Sequence, residues 1–152
     1  MDESSSTLDS VKVQHDASLR GLLLYDGVCV LCDHTVNFVL RHEAGPRLQF
    51  APLGGSTAAA IFERHPDLRT IDSIVLIEGP ESAEQVWVRS DAAIRLGKYL
   101  TGKWQFVHWL RLVPRPIRNV VYDAVAHYRY RTFGRLDACK LAPPELRDRF
   151  LP

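Results

Sequence analysis

The chain has 152 residues and a mass of 17.2 kDa, with 46% hydrophobic and 24% charged residues. A chain of this size buries enough surface to hold a core without disulfides or a structural metal, so its three cysteines are not needed as covalent links. Nineteen basic against eighteen acidic residues give a net charge of +1, which argues against a protein whose whole surface binds nucleic acid.

That near-neutral balance is uneven along the chain. Residues 1–100 carry 9 basic and 14 acidic side chains, whereas residues 101–152 carry 10 basic and 4 acidic ones. The N-terminus has no cationic segment followed by the apolar stretch of a signal peptide, and no apolar run approaches the roughly 20 residues that span a bilayer. We therefore expect a disordered tail at residues 1–17 and a cytoplasmic protein.

Short apolar strands alternate with helices between residues 18 and 102. In chain order the pattern predicts a strand at 22–25, a helix from 29 to 44, a strand at 48–51, a helix at 57–63, strands at 73–77 and 86–88, and a helix at 91–101. With a right-handed crossover between the first two strands and a hairpin between the last two, this order predicts a thioredoxin-like α/β core at residues 18–102.

Two more helices are predicted after this core, at 104–113 and 117–130, separated by Pro114-Arg115-Pro116. The apolar residues of the second helix, from Ile117 to Tyr128, recur at the spacing of one helix face. We interpret residues 103–152 as a helical extension packed on the core, so that the whole chain forms one domain.

The chemically informative feature is a C-x-x-C sequence, Cys29-Val30-Leu31-Cys32, where the first strand meets the first helix. If Cys29 is the N-cap, its sulfur lies near free backbone N–H groups and the positive end of the helix dipole, which stabilise a thiolate. The thiolate is the nucleophile of disulfide exchange. We expect Cys29 to attack a disulfide and Cys32 to resolve the mixed disulfide, with no metal or organic cofactor.

Other interpretations of the cysteine pair stay open. The two cysteines could be half of a metal site, although no second pair is present, or two unreactive residues at a helix end. Asp26, three residues before Cys29, is either a turn residue that binds local backbone N–H groups or a proton acceptor for Cys32. Cys139 is either a spectator or an additional partner thiol for the pair.

The sequence resembles the DCC family of predicted thiol-disulfide oxidoreductases in several places. The family is named for an Asp and two Cys, which match Asp26, Cys29 and Cys32. The similar segments further along are Arg89-Ser-Asp-Ala-Ala93, Val113-Pro-Arg-Pro-Ile-Arg118, His127-Tyr-Arg-Tyr-Arg131 and Asp137-Ala-Cys139. The resemblance implies a thioredoxin-like fold and a protein-disulfide reductase type of activity on a protein or small-molecule disulfide, and it supplies no substrate.

One loop departs from better-understood thioredoxins, which place a cis-proline before the strand that faces the C-x-x-C. Here residues 70–73 read Thr-Ile-Asp-Ser, so Asp72 and Ser73 replace it or extended peptides are held differently. The alternative function is a non-catalytic thioredoxin-like module that binds a partner, with the cysteine pair as a redox sensor or metal clip.

Arginines and aromatic residues are interleaved between Trp104 and Arg135. Such a pattern suits an RNA or an anionic membrane surface. It also suits aromatics that pack on the core while arginines face acidic groups of residues 1–100. Because no nucleic-acid module is recognisable, we expect no nucleic acid as partner and consider docking of these basic helices to an acidic or membrane-associated partner.

Overall fold

The structure is a computed structural model that describes residues 21–45, 48–135 and 143–152. The predicted tail at residues 1–17 and Cys139 lie outside the described residues. The strands are β1 (Gly21–Tyr25), β2 (Leu48–Pro52), β3 (Val75–Glu78) and β4 (Gln85–Val88). The α-helices are α1 (Val30–His42), α2 (Ser56–Arg64), α3 (Arg89–Leu96) and α4 (Arg115–Thr132). Five 3₁₀ helices complete the described elements: Pro66–Thr70, Glu81–Ala83, Gly97–Tyr99, Gly102–Leu112 and Pro144–Arg149.

The four strands form one mixed sheet in the order β2-β1-β3-β4. β1 pairs with β2 in parallel, with Leu23 opposite Phe50, and with β3 antiparallel, with Leu23 opposite Leu76. β3 and β4 form the predicted hairpin. The protein therefore has a mixed α/β, thioredoxin-like fold, as the sequence predicts.

β1 is apolar along its whole length because both faces of the sheet are covered. Leu23 and Tyr25 belong to a core cluster shared with α1 and α3, whereas Leu22 and Leu24 pack with α2 on the opposite face. This central strand ends at Tyr25, directly before the turn that leads into the cysteine pair. The fully buried strand β1 thus leads directly into the turn that carries the cysteine pair.

The last described residues return to the sheet beside β2. The Leu151 N–H donates to the Phe50 carbonyl at 2.8 Å, and the rings of Phe150 and Phe50 stack at 5.1 Å. The Pro152 carbonyl oxygen accepts a hydrogen bond of 2.8 Å from the Thr57 N–H, in the first turn of α2. Residues 143–152 therefore contact both β2 and the start of α2.

The two helices after residue 102 differ from the sequence expectation in one respect each. The first is a 3₁₀ helix, Gly102–Leu112, which we call the long 3₁₀ helix. In α4 the apolar residues do share one face, but most of that face is exposed. The inward side chains are Tyr122 and Tyr130, which pack against the core, and Arg118 and Arg129, which pair with Asp91, Asp26 and Asp72. None of the helices in the described part of the chain is long and apolar enough to cross a membrane.

Candidate functional site

The cysteine pair lies where β1 passes into α1. Cys29 is the N-cap of α1, with φ −84° and ψ 122°, and Cys32 is the third residue of the helix, as the spacing predicts. The Asp33 N–H donates to the Cys29 carbonyl at 3.0 Å and closes the first helical turn. Cys29 therefore lies at the start of a helix whose first backbone N–H groups have no helical partner.

Both thiols are free and buried, but not equally. Cys29 is 0% exposed and Cys32 is 6% exposed. The backbone of Cys29 forms an isolated antiparallel bridge with Arg135, so the chain that follows α4 passes directly over the first cysteine. A substrate that reacts with the Cys29 sulfur must reach it past this contact.

The two cysteines differ in their electrostatic environment. Burial, followed by the electrostatic interaction with Cys29 and a hydrogen bond with it, raises the pKa of the Cys32 thiol to about 12. The Asp26 backbone and the Arg129 guanidinium act in the opposite direction but do not outweigh burial. Cys32 therefore keeps its proton at neutral pH and lies within hydrogen-bonding reach of the Cys29 sulfur.

The Asp26 carboxylate is held by three groups. Its Oδ1 accepts a hydrogen bond of 3.1 Å from the Val28 N–H, which is the turn role weighed for this residue. Its Oδ2 accepts a hydrogen bond from the Tyr130 hydroxyl and lies 3.4 Å from Nη2 of Arg129. The turn before Cys29 is thus fixed from α4, more than a hundred residues away in sequence.

Arg129 is the buried charge of this site. Its Nη2 donates to Asp72 Oδ1 at 2.5 Å and to the Tyr130 hydroxyl at 3.1 Å, while Nη1 donates to the Asp72 carbonyl at 3.4 Å. Burial disfavours the cation, but hydrogen bonds to Asp72 and Tyr130 outweigh it and raise the pKa of Arg129. This guanidinium therefore stays charged and ties Asp26 to the loop before β3.

That loop occupies the position at which thioredoxins carry their proline. The Tyr122 hydroxyl accepts a hydrogen bond of 3.3 Å from the Ile74 N–H, and Asp72 is engaged by Arg129. Burial raises the pKa of Tyr122, so this hydroxyl is neutral. Two side chains of α4, Tyr122 and Arg129, therefore form hydrogen bonds with backbone groups of the loop that faces the cysteine pair.

An apolar cavity of about 300 Å³ lies beside Cys32. Its walls come from α1, α3, the long 3₁₀ helix and α4, and include Leu31, Phe38, Trp104, Val125 and Arg129. The cavity is lined by Cys32 and not by Cys29. It offers space for an apolar group within reach of the second cysteine.

The structure brings Asp26, Cys29 and Cys32 into one site, as the sequence analysis groups them. Sequence reasoning did not identify Arg129, Tyr130 and Tyr122 as members of this site. Arg129 and Tyr130 lie in the His127–Arg131 segment, and the resemblance of that segment to a known family was the available signal. Tyr122 lies earlier in the same helix. No group of three or more His, Cys, Asp or Glu residues that could hold a metal occurs in the described ranges.

Comparison with known proteins gives a consistent result. The family model of DCC1-like thiol-disulfide oxidoreductases matches residues 23–135. The uncharacterised protein YuxK of Bacillus subtilis is 35% identical over 133 residues, which cover 86% of this chain and 93% of that protein. A chloroplastic DCC family protein of Arabidopsis thaliana is 33% identical over 126 residues, which cover 80% of this chain and 70% of that protein. No solved structure matches the chain.

Proposed function

The chain belongs to the DCC1-like thiol-disulfide oxidoreductase family, and we propose that it reduces disulfides with Cys29 as nucleophile and Cys32 as resolving cysteine. The observation that carries this proposal is the asymmetry of the pair. Cys29 is the N-cap residue of α1, beside backbone N–H groups that have no helical partner, whereas the Cys32 thiol has a pKa of about 12 and stays protonated. We therefore assign the first attack to Cys29 and the second to Cys32.

The proposed reaction has two exchange steps. The Cys29 thiolate attacks one sulfur of the substrate disulfide, so that a mixed disulfide forms and the other substrate sulfur leaves as a thiol after taking up a proton. Cys32 then loses its proton and attacks the Cys29 sulfur of the mixed disulfide. The second substrate thiol is released, the protein holds a Cys29–Cys32 disulfide, and two electrons have passed to the substrate.

We assign two tasks to Asp26 within this scheme. Its Oδ1 holds the turn through Val28, and its carboxylate accepts the proton that Cys32 must lose in the second step. Arg129 and Tyr130 position this carboxylate from α4. Asp26→Asn keeps an oxygen for the Val28 N–H but removes the base, so we expect a normal first step and a slower second step.

The substrate class follows from the surroundings of the pair. Tyr122 and Arg129 form hydrogen bonds with backbone groups of the loop before β3, with which the backbone of an extended peptide substrate would otherwise pair. An apolar cavity lies beside Cys32. These features support a small disulfide, or a protein disulfide with an apolar neighbouring side chain, over an extended peptide. The backbone bridge between Cys29 and Arg135 must open when such a substrate reacts.

The decisive experiment measures turnover of a disulfide substrate with a chemical dithiol as electron donor. Wild type, Cys29→Ser and Cys32→Ser are compared, with Cys139→Ser as the matched control. We expect Cys29→Ser to lose turnover, Cys32→Ser to accumulate the mixed disulfide in mass spectra, and Cys139→Ser to stay active. Turnover by Cys29→Ser at the wild-type rate would show that the proposed mechanism is wrong.

The alternative is a non-catalytic module whose cysteine pair senses redox state or clips a metal. The buried Cys29, covered by Arg135, favours this second function because slow access suits a sensor better than an enzyme. A sensor would form and lose the Cys29–Cys32 disulfide only slowly with small dithiols and would show no turnover. A metal clip would release zinc when the purified protein is denatured.

A further inference from the structure

Helix α4 exposes most of its apolar residues and buries an arginine. Its apolar face, consisting of Ile117, Val120, Val121, Val125 and Tyr128, is exposed, and Val120 has 69% of its surface in contact with solvent. Arg129 is the buried residue of this helix, and Tyr122 and Arg118 also face inward. Because several neighbouring apolar side chains exposed on one helix face mark an interaction site, the outer face of α4 is expected to have a partner.

The long 3₁₀ helix exposes a second row of apolar residues. At three residues per turn, Phe106, Trp109 and Leu112 lie on one line, and all three are exposed. The long 3₁₀ helix and α4 meet at the cavity beside Cys32, which both of them line. We call the α4 face together with this row the outer apolar surface.

Most charges around the outer apolar surface are positive. Arg131 continues the row of Val120, Val121 and Tyr128 at helical spacing, and Arg111 and Lys103 lie on the long 3₁₀ helix. The single acidic residue of α4, Asp123, is half exposed three residues after Val120 and lies 3.8 Å from Arg89. The face therefore presents methyl groups, aromatic rings and basic side chains, with one carboxylate at its edge that lies beside an arginine.

The exposed charges argue against a second copy of the chain as the occupant. Arg131 of α4 and Lys103 and Arg111 of the long 3₁₀ helix are exposed, whereas Asp123 is the one acidic residue of these two helices. A second copy would bring the same excess of positive charge to the contact. Like charges that face each other oppose association.

We propose that the outer apolar surface docks on an anionic lipid bilayer, with α4 lying in the interface plane. A surface of methyl groups and aromatic rings, rimmed by arginines, is what such an interface accepts, and it requires no shape-specific hydrogen bonds. The arginines add electrostatic attraction to anionic headgroups. The surface is a single helix face with a neighbouring row, and a bilayer matches it more simply than an acidic protein.

The test is flotation of the full-length protein with vesicles of phosphatidylcholine alone or mixed with phosphatidylglycerol. We expect the wild type to float with the mixed vesicles, to bind phosphatidylcholine vesicles weakly, and to be released by high salt. Val120→Asp, on the exposed face, should weaken binding at least about ten-fold. Arg131→Gln should weaken it roughly five-fold, because one arginine near the surface contributes about 1 kcal/mol.

Two variants control for these changes. Ala59→Asp introduces the same charge at an exposed position of α2, and Arg69→Gln removes an exposed arginine from a different 3₁₀ helix. Both should bind like wild type. Circular dichroism verifies that each variant is folded, and Cys29→Ser should float like wild type because docking does not depend on the thiol chemistry.

Three results would overturn the proposal. The first is an absence of flotation with the anionic vesicles, and the second is flotation that Val120→Asp leaves unchanged. The third is a stable dimer in light scattering that Val120→Asp dissociates, which would assign the surface to self-association. None of these results bears on turnover by Cys29, so docking and catalysis can fail separately.

Discussion

Helices α1 and α4 flank the same cysteine pair but are held to the core by different forces. α1 buries Cys32, Val36 and Val39 and exposes polar residues, so the hydrophobic effect positions it. α4 buries Arg129 and exposes most of its apolar face, so the ion pairs of Arg129 with Asp26 and Asp72 position it together with two tyrosines that pack against the core. An amphipathic pattern therefore defines a face but does not determine which face turns inward.

The largest effect should come from removing the buried charge of α4. Arg129→Met leaves the Asp26 carboxylate, which is mostly buried, without its cation, and breaking a buried pair in this way costs about 3 kcal/mol. Chemical denaturation measures the free energy of unfolding. Arg131→Met is the matched control, because this exposed arginine forms no ion pair among the described residues, and it should change stability by less than about 0.5 kcal/mol.

Equal losses of stability in these two variants would show that α4 is not held by Arg129. Disulfide turnover gives a second readout, since Arg129 positions Asp26. If Arg129 acts only on stability, the variant that remains folded should resolve the mixed disulfide at the wild-type rate. We expect instead slower turnover and an accumulated mixed disulfide, because Asp26 has lost a group that positions it.

A valine-to-alanine substitution in α1 and another in α4 compare a buried apolar face with an exposed one. Val39 of α1 is 0% exposed, whereas Val121 of α4 is 60% exposed. Val39→Ala should cost about 2 kcal/mol, because the cavity it leaves adds to the lost burial. Val121→Ala should cost less than about 0.5 kcal/mol in the isolated protein. A loss above 1 kcal/mol for Val121→Ala would indicate that its face is covered by another copy under the conditions of measurement.

The buried thiol of α1 predicts an alkaline loss of stability. Because burial raises the pKa of Cys32 to about 12 in the folded protein, the unfolded chain loses this proton first once the pH exceeds 9.0. The contribution is fully present below pH 9.0 and is lost as the pH rises toward 12, by about 1 kcal/mol per pH unit. Urea unfolding at pH 8 and pH 10 should show a steeper loss for wild type than for Cys32→Ser. Identical slopes would contradict the protonated state assigned to Cys32.

The sequence was sufficient for the order of elements and for the position of Cys29 as N-cap. Both depend on local information: the period of apolar residues, the Asp26-Gly27 turn, and the two-residue spacing to Cys32. The hairpin of β3 and β4 was predictable for the same reason, since Gly79-Pro80 separates two apolar runs.

The remaining features depend on contacts between distant residues. Asp26 and Tyr130 are 104 positions apart, and no periodicity connects them. The orientation of α4 was also not predictable, because an inward arginine requires carboxylates at defined points of the fold, and Asp26 and Asp72 come together only in the folded protein. Burial of a charge is uncommon, so a pattern-based reading places the apolar face inside.

The smallest effect is expected from an ion pair on the outside of α4. Arg89 and Asp123 lie 3.8 Å apart, and about half of each side chain is exposed, so water and salt screen their attraction. Asp123→Asn should therefore change the free energy of unfolding by less than about 0.5 kcal/mol, and added salt should reduce this difference further. Chemical denaturation at low and high salt measures it against the Arg129→Met variant. A loss comparable with that of Arg129→Met would mean that α4 is held from both sides, and that its inward ion pairs are not what distinguishes it from α1.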